Sequence, residues 1–225
     1  MNTIKNMSIL AIFGLVLSVG FAGEHPTGGK GQEPKVAKED KAPRAAPDFT
    51  LNDINGKAVQ LSKLTEKGKI VVLEWFNYDC PFVKDHYNSE KNTMGKLAEK
   101  YKDKDVVWLT INSTHYATAE TTKAWAEQHG IKHAILMDSD GKVGTLYKAK
   151  TTPHLFVVDK KGRIVYDGAI DNAPMGKVTE GQEMLNYVDQ ALTELLVDKA
   201  ITIPKNNPYG CSVKYPPQKE KNEPA

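Results

Sequence analysis

Ile70 to Phe76 (Ile-Val-Val-Leu-Glu-Trp-Phe) is a nearly continuous apolar run, and it constrains the fold more than any other stretch of the 225 residues. Such a run, rich in β-branched and aromatic residues, reads as a strand covered on both faces, which requires layers above and below it. A short turn, Asn77-Tyr78-Asp79, leads to Cys80-Pro81. Proline at a first helical position gives up no needed N–H, so this spacing predicts a helix with Cys80 at its start. The free N–H groups and macrodipole of a helix N-terminus stabilise a thiolate, which makes Cys80 a candidate nucleophile. Val83 stands where a Cys-x-x-Cys motif would place its second sulfur, and Cys211 is the only other cysteine in the sequence.

The flanking pattern extends this core in both directions. Ala46 to Leu51 and Lys57 to Leu61 alternate around Asn52-Asp53-Ile54-Asn55-Gly56, a hairpin signal. After the Cys80-Pro81 helix, which carries Val83, His86 and Tyr87, an interruption at residues 88–93 precedes a second helical stripe on Met94, Leu97, Ala98 and Tyr101. A strand over 106–112, a helix over 118–129 stopped by Gly130, a strand over 134–138 and a short helix over 144–147 follow. Leu155 to Asp159 and Ile164 to Tyr166 form a second hairpin, and Met184, Leu185, Val188, Leu192, Leu195 and Leu196 mark a final amphipathic helix. Strands alternating with helices imply an α/β sandwich, a central sheet with parallel crossovers closed by an antiparallel pair.

The ends read differently. Residues 1–22, with Lys5, an apolar run from Ile9 to Val19 and Gly20-Phe21-Ala22, resemble a secretory signal peptide. The apolar run is short for a membrane span, so the expectation is an exported chain, periplasmic or extracellular, with no stable span after cleavage. Residues 23–45 are rich in Gly, Pro, Lys and Ala and read as a disordered linker. The domain is expected over 46–203, and 204–225 as a C-terminal extension carrying Cys211. With 30 basic against 28 acidic residues and no basic patch interleaved with aromatics, the composition offers nothing for nucleic acid. Two cysteines are too few for a disulfide scaffold, so an apolar core must hold the fold.

Ala46-Pro47-Asp48-Phe49, the strand running into Cys80, and Thr152-Pro153 before Leu155-Phe156-Val157-Val158-Asp159 together resemble the thioredoxin superfamily, in its redoxin/peroxiredoxin-like (AhpC/TSA-type) branch. The segments around Cys80 and Cys211 (Asn77 to Lys84, Pro208 to Tyr215) are similar to motifs of secreted redoxin-domain proteins. The resemblance implies a thioredoxin-like fold, a central mixed β-sheet flanked by helices, with an N-terminal β-hairpin and a βα insertion. It implies thiol–disulfide oxidoreduction with Cys80 as nucleophile and no organic cofactor. The partners would be a protein or small-molecule thiol or disulfide and a separate reductant. Thr152-Pro153 matches the cis-proline of such proteins, where the backbone of Thr152 would pair with an extended substrate. Pro81 and Phe82 would flank the substrate beside Cys80.

Glu74 matches the buried carboxylate that assists proton transfer in thioredoxins, where burial raises the pKa toward the range useful for acid–base work. A surface or ion-paired glutamate is the alternative. For Cys211 three outcomes stay open: a resolving cysteine that attacks a mixed disulfide on Cys80, a permanent disulfide that silences Cys80, or a thiol that never reaches it. The pattern departs from a peroxidase. Asn77 occupies the Thr/Ser position, Arg44 and Arg163 are the only arginines, and Cys80 matches the first rather than the second cysteine of Cys-x-x-Cys. His86 and His154 read as packed histidines more readily than as bases. No ligand spacing supports a metal, and Asp138-Ser139-Asp140-Gly141 reads as a turn.

Overall fold

The computed structural model describes residues 43–217; the expected signal segment, the linker up to residue 42 and the tail from residue 218 lie outside them. The strands are β1 (Arg44–Ala45), β2 (Thr50–Asp53), β3 (Ala58–Gln60), β4 (Ile70–Trp75), β5 (Val106–Asn112), β6 (Ala134–Met137), β7 (Thr151–Thr152), β8 (His154–Val158), β9 (Arg163–Gly168) and β10 (Cys211–Ser212). The helices are α1 (Leu61–Thr65), α2 (Pro81–Tyr87), α3 (Thr93–Tyr101), α4 (Ala119–Gln128), α5 (Lys142–Tyr147) and α6 (Tyr187–Leu196). Eight strands form a mixed sheet ordered β1-β9-β8-β4-β5-β6-β2-β3, and β7 pairs separately with β10. The central β4-β5-β6 strands are parallel, whereas β8-β9 on one side and the β2-β3 hairpin on the other add antiparallel.

The period-two alternation of β4 sorts its side chains onto two cores. Ile70, Val72 and Phe76 meet Val83 and Tyr87 of α2, Met94 and Leu97 of α3, and Leu192 of α6. Val71, Leu73 and Trp75 face the other layer, with Leu61 of α1 and Val143 and Tyr147 of α5. Every residue of β4 is buried, as an apolar strand at the centre of two layers requires. Glu74 falls in the first set by the same alternation. A carboxylate therefore enters a core that otherwise gains about 1.5–3 kcal/mol per buried large side chain.

Three boundaries differ from the sequence reading. Arg44–Ala45 pairs with β9, so ordered structure begins inside the stretch expected to be linker. The final helix starts at Tyr187, not Met184, because the Asn186 side chain accepts the Asp189 amide and caps it there; Met184 stays exposed. The extension after residue 203 is stitched to the domain rather than trailing from it. The Asn206 side chain accepts the Ala169 amide at 2.7 Å, the Val213 amide donates to Lys150 O, and the Tyr215 hydroxyl donates to Ala149 O at 2.9 Å. No helix among the described residues is long and apolar enough to cross a membrane.

Candidate active site

The turn that leaves β4 is built by Asn77. Its side-chain oxygen accepts the Asp79 amide at 2.8 Å and its backbone oxygen accepts the Cys80 amide at 3.0 Å. Asn77 is thus a turn former that delivers Cys80 to the N-cap of α2, with Pro81 following at the first helical position. Cys80 has extended backbone angles (φ −74°, ψ 122°) and is almost fully buried, at 2% exposure. Pro81 is exposed and Phe82 half-buried beside it.

The Thr152-Pro153 peptide bond is cis, as the resemblance implies. The Cys80 thiol donates to the Thr152 carbonyl at 2.9 Å. On the other side of Thr152 lies Cys211: its strand β10 pairs antiparallel with β7, with Cys211 directly opposite Thr152. The edge expected to receive an extended substrate is therefore taken by the chain's own tail. Gly210 permits this approach, since its φ of 138° and the nearness of the Thr152 carbonyl leave no room for a Cβ. Both cysteines are free thiols, and Cys211 lies within hydrogen-bonding reach of Cys80.

Their ionisation is opposed. Burial pushes the Cys80 thiol up, but hydrogen bonds from the Cys211 thiol, the Thr152 side chain and the Val83 and Cys211 amides outweigh it, and its pKa falls below the usual thiol value. The Val83 amide faces the sulfur without reaching a full cap bond. The Thr152 carbonyl, accepting from the neutral thiol, opposes ionisation without reversing it. Cys211 is pushed up to about 11, by burial first and then by its hydrogen bond to Cys80 and the charge there. Of the two, Cys80 is the thiol that ionises more readily, with Cys211 hydrogen-bonded to its sulfur.

The tail is held by a clasp that the sequence reading did not anticipate. Tyr209 rests against Phe82 and stacks on His86, with ring centroids 5.8 and 6.1 Å apart. Its hydroxyl donates to Asp171 Oδ1 at 2.6 Å and accepts from His86 Nε2 at 2.8 Å. His86 is therefore a packing partner of the tail, its pKa lowered by burial despite the nearby Asp171 and Asp85. His154 is likewise satisfied: Nε2 meets Asp167 Oδ1 at 2.9 Å and Nδ1 accepts the Lys150 amide. Asp138 accepts the Val143 and Gly144 amides at the start of α5, in keeping with a turn.

Glu74 is fully buried on the α2 side. Its Oε2 accepts from Trp108 Nε1 at 2.8 Å, Tyr87 Oη at 2.9 Å and Thr110 Oγ1 at 3.1 Å, while Oε1 has no partner. Burial pushes its pKa up to about 7, against the pull of these three donors. The surface-glutamate alternative is thereby excluded. Each guanidinium is committed to a carboxylate, Arg44 to Asp167 and Arg163 to Asp159. Among the described residues no cluster of His, Cys, Asp and Glu suits a metal. A cleft of about 640 Å³ opens between the β8-β9 turn and the end of α6, beside Ile70, and its lining includes neither cysteine.

Comparison with known proteins agrees with this fold. The thiol–disulfide oxidoreductase ResA of Bacillus thuringiensis (strain Al Hakam) is 31% identical over 122 residues, 54% of this chain and 66% of the relative, so the chain spans just under two thirds of that protein's length. ResA of Bacillus cereus (strain ATCC 10987 / NRS 248) is 28% identical over 155 residues, 68% of this chain and 82% of the relative. The crystal structure of an uncharacterized conserved protein from Geobacillus kaustophilus superposes with a TM-score of 0.70 at 26% identity, covering 81% of this chain and 96% of that one. The model of the AhpC/TSA family matches residues 43–167, more than half of the sequence, and the cis-proline, Cys80 and all of the eight-stranded sheet but its last residue, Gly168, fall within that span. The chain belongs to the AhpC/TSA family, a redoxin-type branch of the thioredoxin superfamily.

Proposed function

We propose that the protein is an exported thiol–disulfide oxidoreductase in which Cys80 is the nucleophile and Cys211 the resolving thiol. The observation that carries this reading is the pair of free thiols on either side of Thr152, one favoured as thiolate and the other as thiol. Relatives named thiol–disulfide oxidoreductase support the reaction class. In the forward direction the Cys80 thiolate attacks a substrate disulfide, forming a mixed disulfide and expelling one substrate thiolate, which takes up a proton. The Cys211 thiolate then attacks the Cys80 sulfur, closing Cys80–Cys211 and expelling the second substrate thiolate. The substrate gains two electrons, and an external dithiol returns them to the protein. Glu74, with a pKa near neutrality, accepts and returns a proton as the thiols ionise and reprotonate.

Because Cys80 is buried under the tail, residues 208–213 move aside when a substrate enters. Phe82 and the Thr152 edge then become the surface that meets it. The Cys211→Ser variant tests the reading: it should accumulate a mixed disulfide on Cys80 with a disulfide substrate, detected by intact mass, while Cys80→Ser forms none. Equal exchange by Cys80→Ser and the parent protein would sink it.

A closed redoxin scaffold is the second reading, favoured by the occupied Thr152 edge; in it the Cys80–Cys211 bond forms once and resists reduction by cellular thiols. Peroxide reduction has little support, since Asn77 builds a turn and both arginines are paired with carboxylates. Export rests on residues 1–22 alone, and cell fractionation with mass analysis of the mature N-terminus tests it.

A further inference from the structure

His133 takes no part in the exchange described above, yet it is joined to Glu74 by two hydroxyls. In the parallel β4-β5 ladder Glu74 is the direct neighbour of Thr110, so their side chains share one face of the sheet. The Thr110 hydroxyl donates to Glu74 Oε2 at 3.1 Å and lies 3.0 Å from His133 Nε2. The Tyr87 hydroxyl repeats the arrangement, at 2.9 Å from Glu74 Oε2 and 3.3 Å from the same imidazole nitrogen. With both hydroxyl protons directed at the carboxylate, Nε2 carries hydrogen and donates to them. His133, between α4 and β6, keeps partial exposure where Glu74 has none. A fully buried carboxylate is thus connected to the outer layer through single hydroxyls.

We propose that His133 is the relay through which Glu74 exchanges its proton with solvent, across the Thr110 hydroxyl. This rests on the reading of Glu74 as the proton-transfer group for Cys80 and Cys211. Inward, Nδ1 takes a proton from water, Nε2–H passes to Thr110 Oγ1, and the Thr110 hydroxyl proton passes to Glu74 Oε2. One proton enters, one reaches the carboxylate, and the imidazole is left as its other tautomer. Outward transfer reverses each step, so a turnover in which Glu74 gains and loses one proton restores the starting tautomer. The groups facing the imidazole are Tyr87 from α2, Trp108 and Thr110 from β5, and Glu74 from β4 beyond the hydroxyls. Burial holds the His133 pKa down at about 4, so near neutral pH the ring is uncharged, with one nitrogen to donate and one to accept.

The test is the rate at which the reduced mature protein reacts with glutathione disulfide, followed from pH 6 to 8 in the parent and in His133→Ala, His133→Gln and Thr110→Val. The relay predicts that His133→Ala slows the reaction roughly tenfold or more near pH 7. Added imidazole should restore it. His133→Gln, which keeps a donor but passes no proton, stays slow although folded, and Thr110→Val is slow and unresponsive to imidazole. A His133→Gln protein reacting at the parent rate would overturn the proposal, and so would a loss in His133→Ala that imidazole leaves unrepaired. The underlying reading fails separately: if Glu74→Gln reacts like the parent while Cys80→Ser is inert, Glu74 carries no proton for the exchange and the relay falls with it.

Discussion

At the scale of single residues, Cys80 was identifiable as a candidate nucleophile at a helix start because strand, turn and Pro81 are local signals. Its ionisation was not, because the groups that set it come from far along the chain. Thr152 and Cys211 decide more than the helix start does, since the Val83 amide falls short of a full cap. Replacing Cys211 by alanine removes the foremost of the stabilising donors, so the Cys80 thiolate should titrate at higher pH in Cys211→Ala. Thiolate absorbance across a pH series measures this, and an unmoved titration would contradict the assigned hydrogen bond. Glu74 was legible as an interruption in an apolar run, but burial against ion pairing was not, because Trp108, Tyr87 and Thr110 come from two other elements.

At the scale of elements, the hairpins and the β4-turn-α2 unit were readable because their hydrophobic period and turn residues lie side by side. The tail was not, since its order depends on partners spread over α2, β7 and the residues just before it, and the loop after β9. Tyr209 joins the clasp through its hydroxyl, with His86 and Asp171 as partners from opposite directions. Tyr209→Phe leaves the buried Asp171 short of a donor, which should cost about 1–3 kcal/mol. The expected result is faster amide exchange over residues 209–213 and slower closure of Cys80–Cys211, measured by hydrogen exchange and by thiol oxidation kinetics. Gly210→Ala should have the larger effect, because its Cβ meets the Thr152 carbonyl itself. In that variant Cys80 should become more reactive to a small alkylating agent than in the parent; unchanged reactivity would mean that the tail does not guard it.

At the scale of the whole molecule, Glu74 and His133 give stability opposite dependences on pH. The carboxyl of Glu74, raised from 4.5 to about 7, binds its proton more tightly in the folded state. Its contribution to stability is complete below pH 4.5 and is lost as pH rises through about 7, on the order of 3 kcal/mol in all. His133, lowered from 6.5 to about 4, contributes stability above pH 6.5 that is lost as pH falls toward 4. Between about pH 4.5 and 6.5 the two slopes oppose each other, and the parent protein should show a shallow dependence there. In that window Glu74→Gln should gain stability with rising pH and His133→Gln should lose it, as read from urea midpoints; parallel curves for all three proteins would refute the assignment.

The architecture was legible as a whole because an apolar central strand between helical segments leaves few alternatives. What stayed hidden was the meeting of Cys211 with Thr152, a pairing fixed by Gly210 and by anchors on both sides of it. The proposed exchange chemistry turns on that meeting. Its most direct test is to equilibrate the protein in a series of thiol–disulfide buffers, quench, and map the cysteines by mass. A single reversible two-electron transition joining Cys80 to Cys211 is the predicted result. Two thiols that stay free under oxidising conditions, or a bond that no cellular thiol reduces, would contradict it.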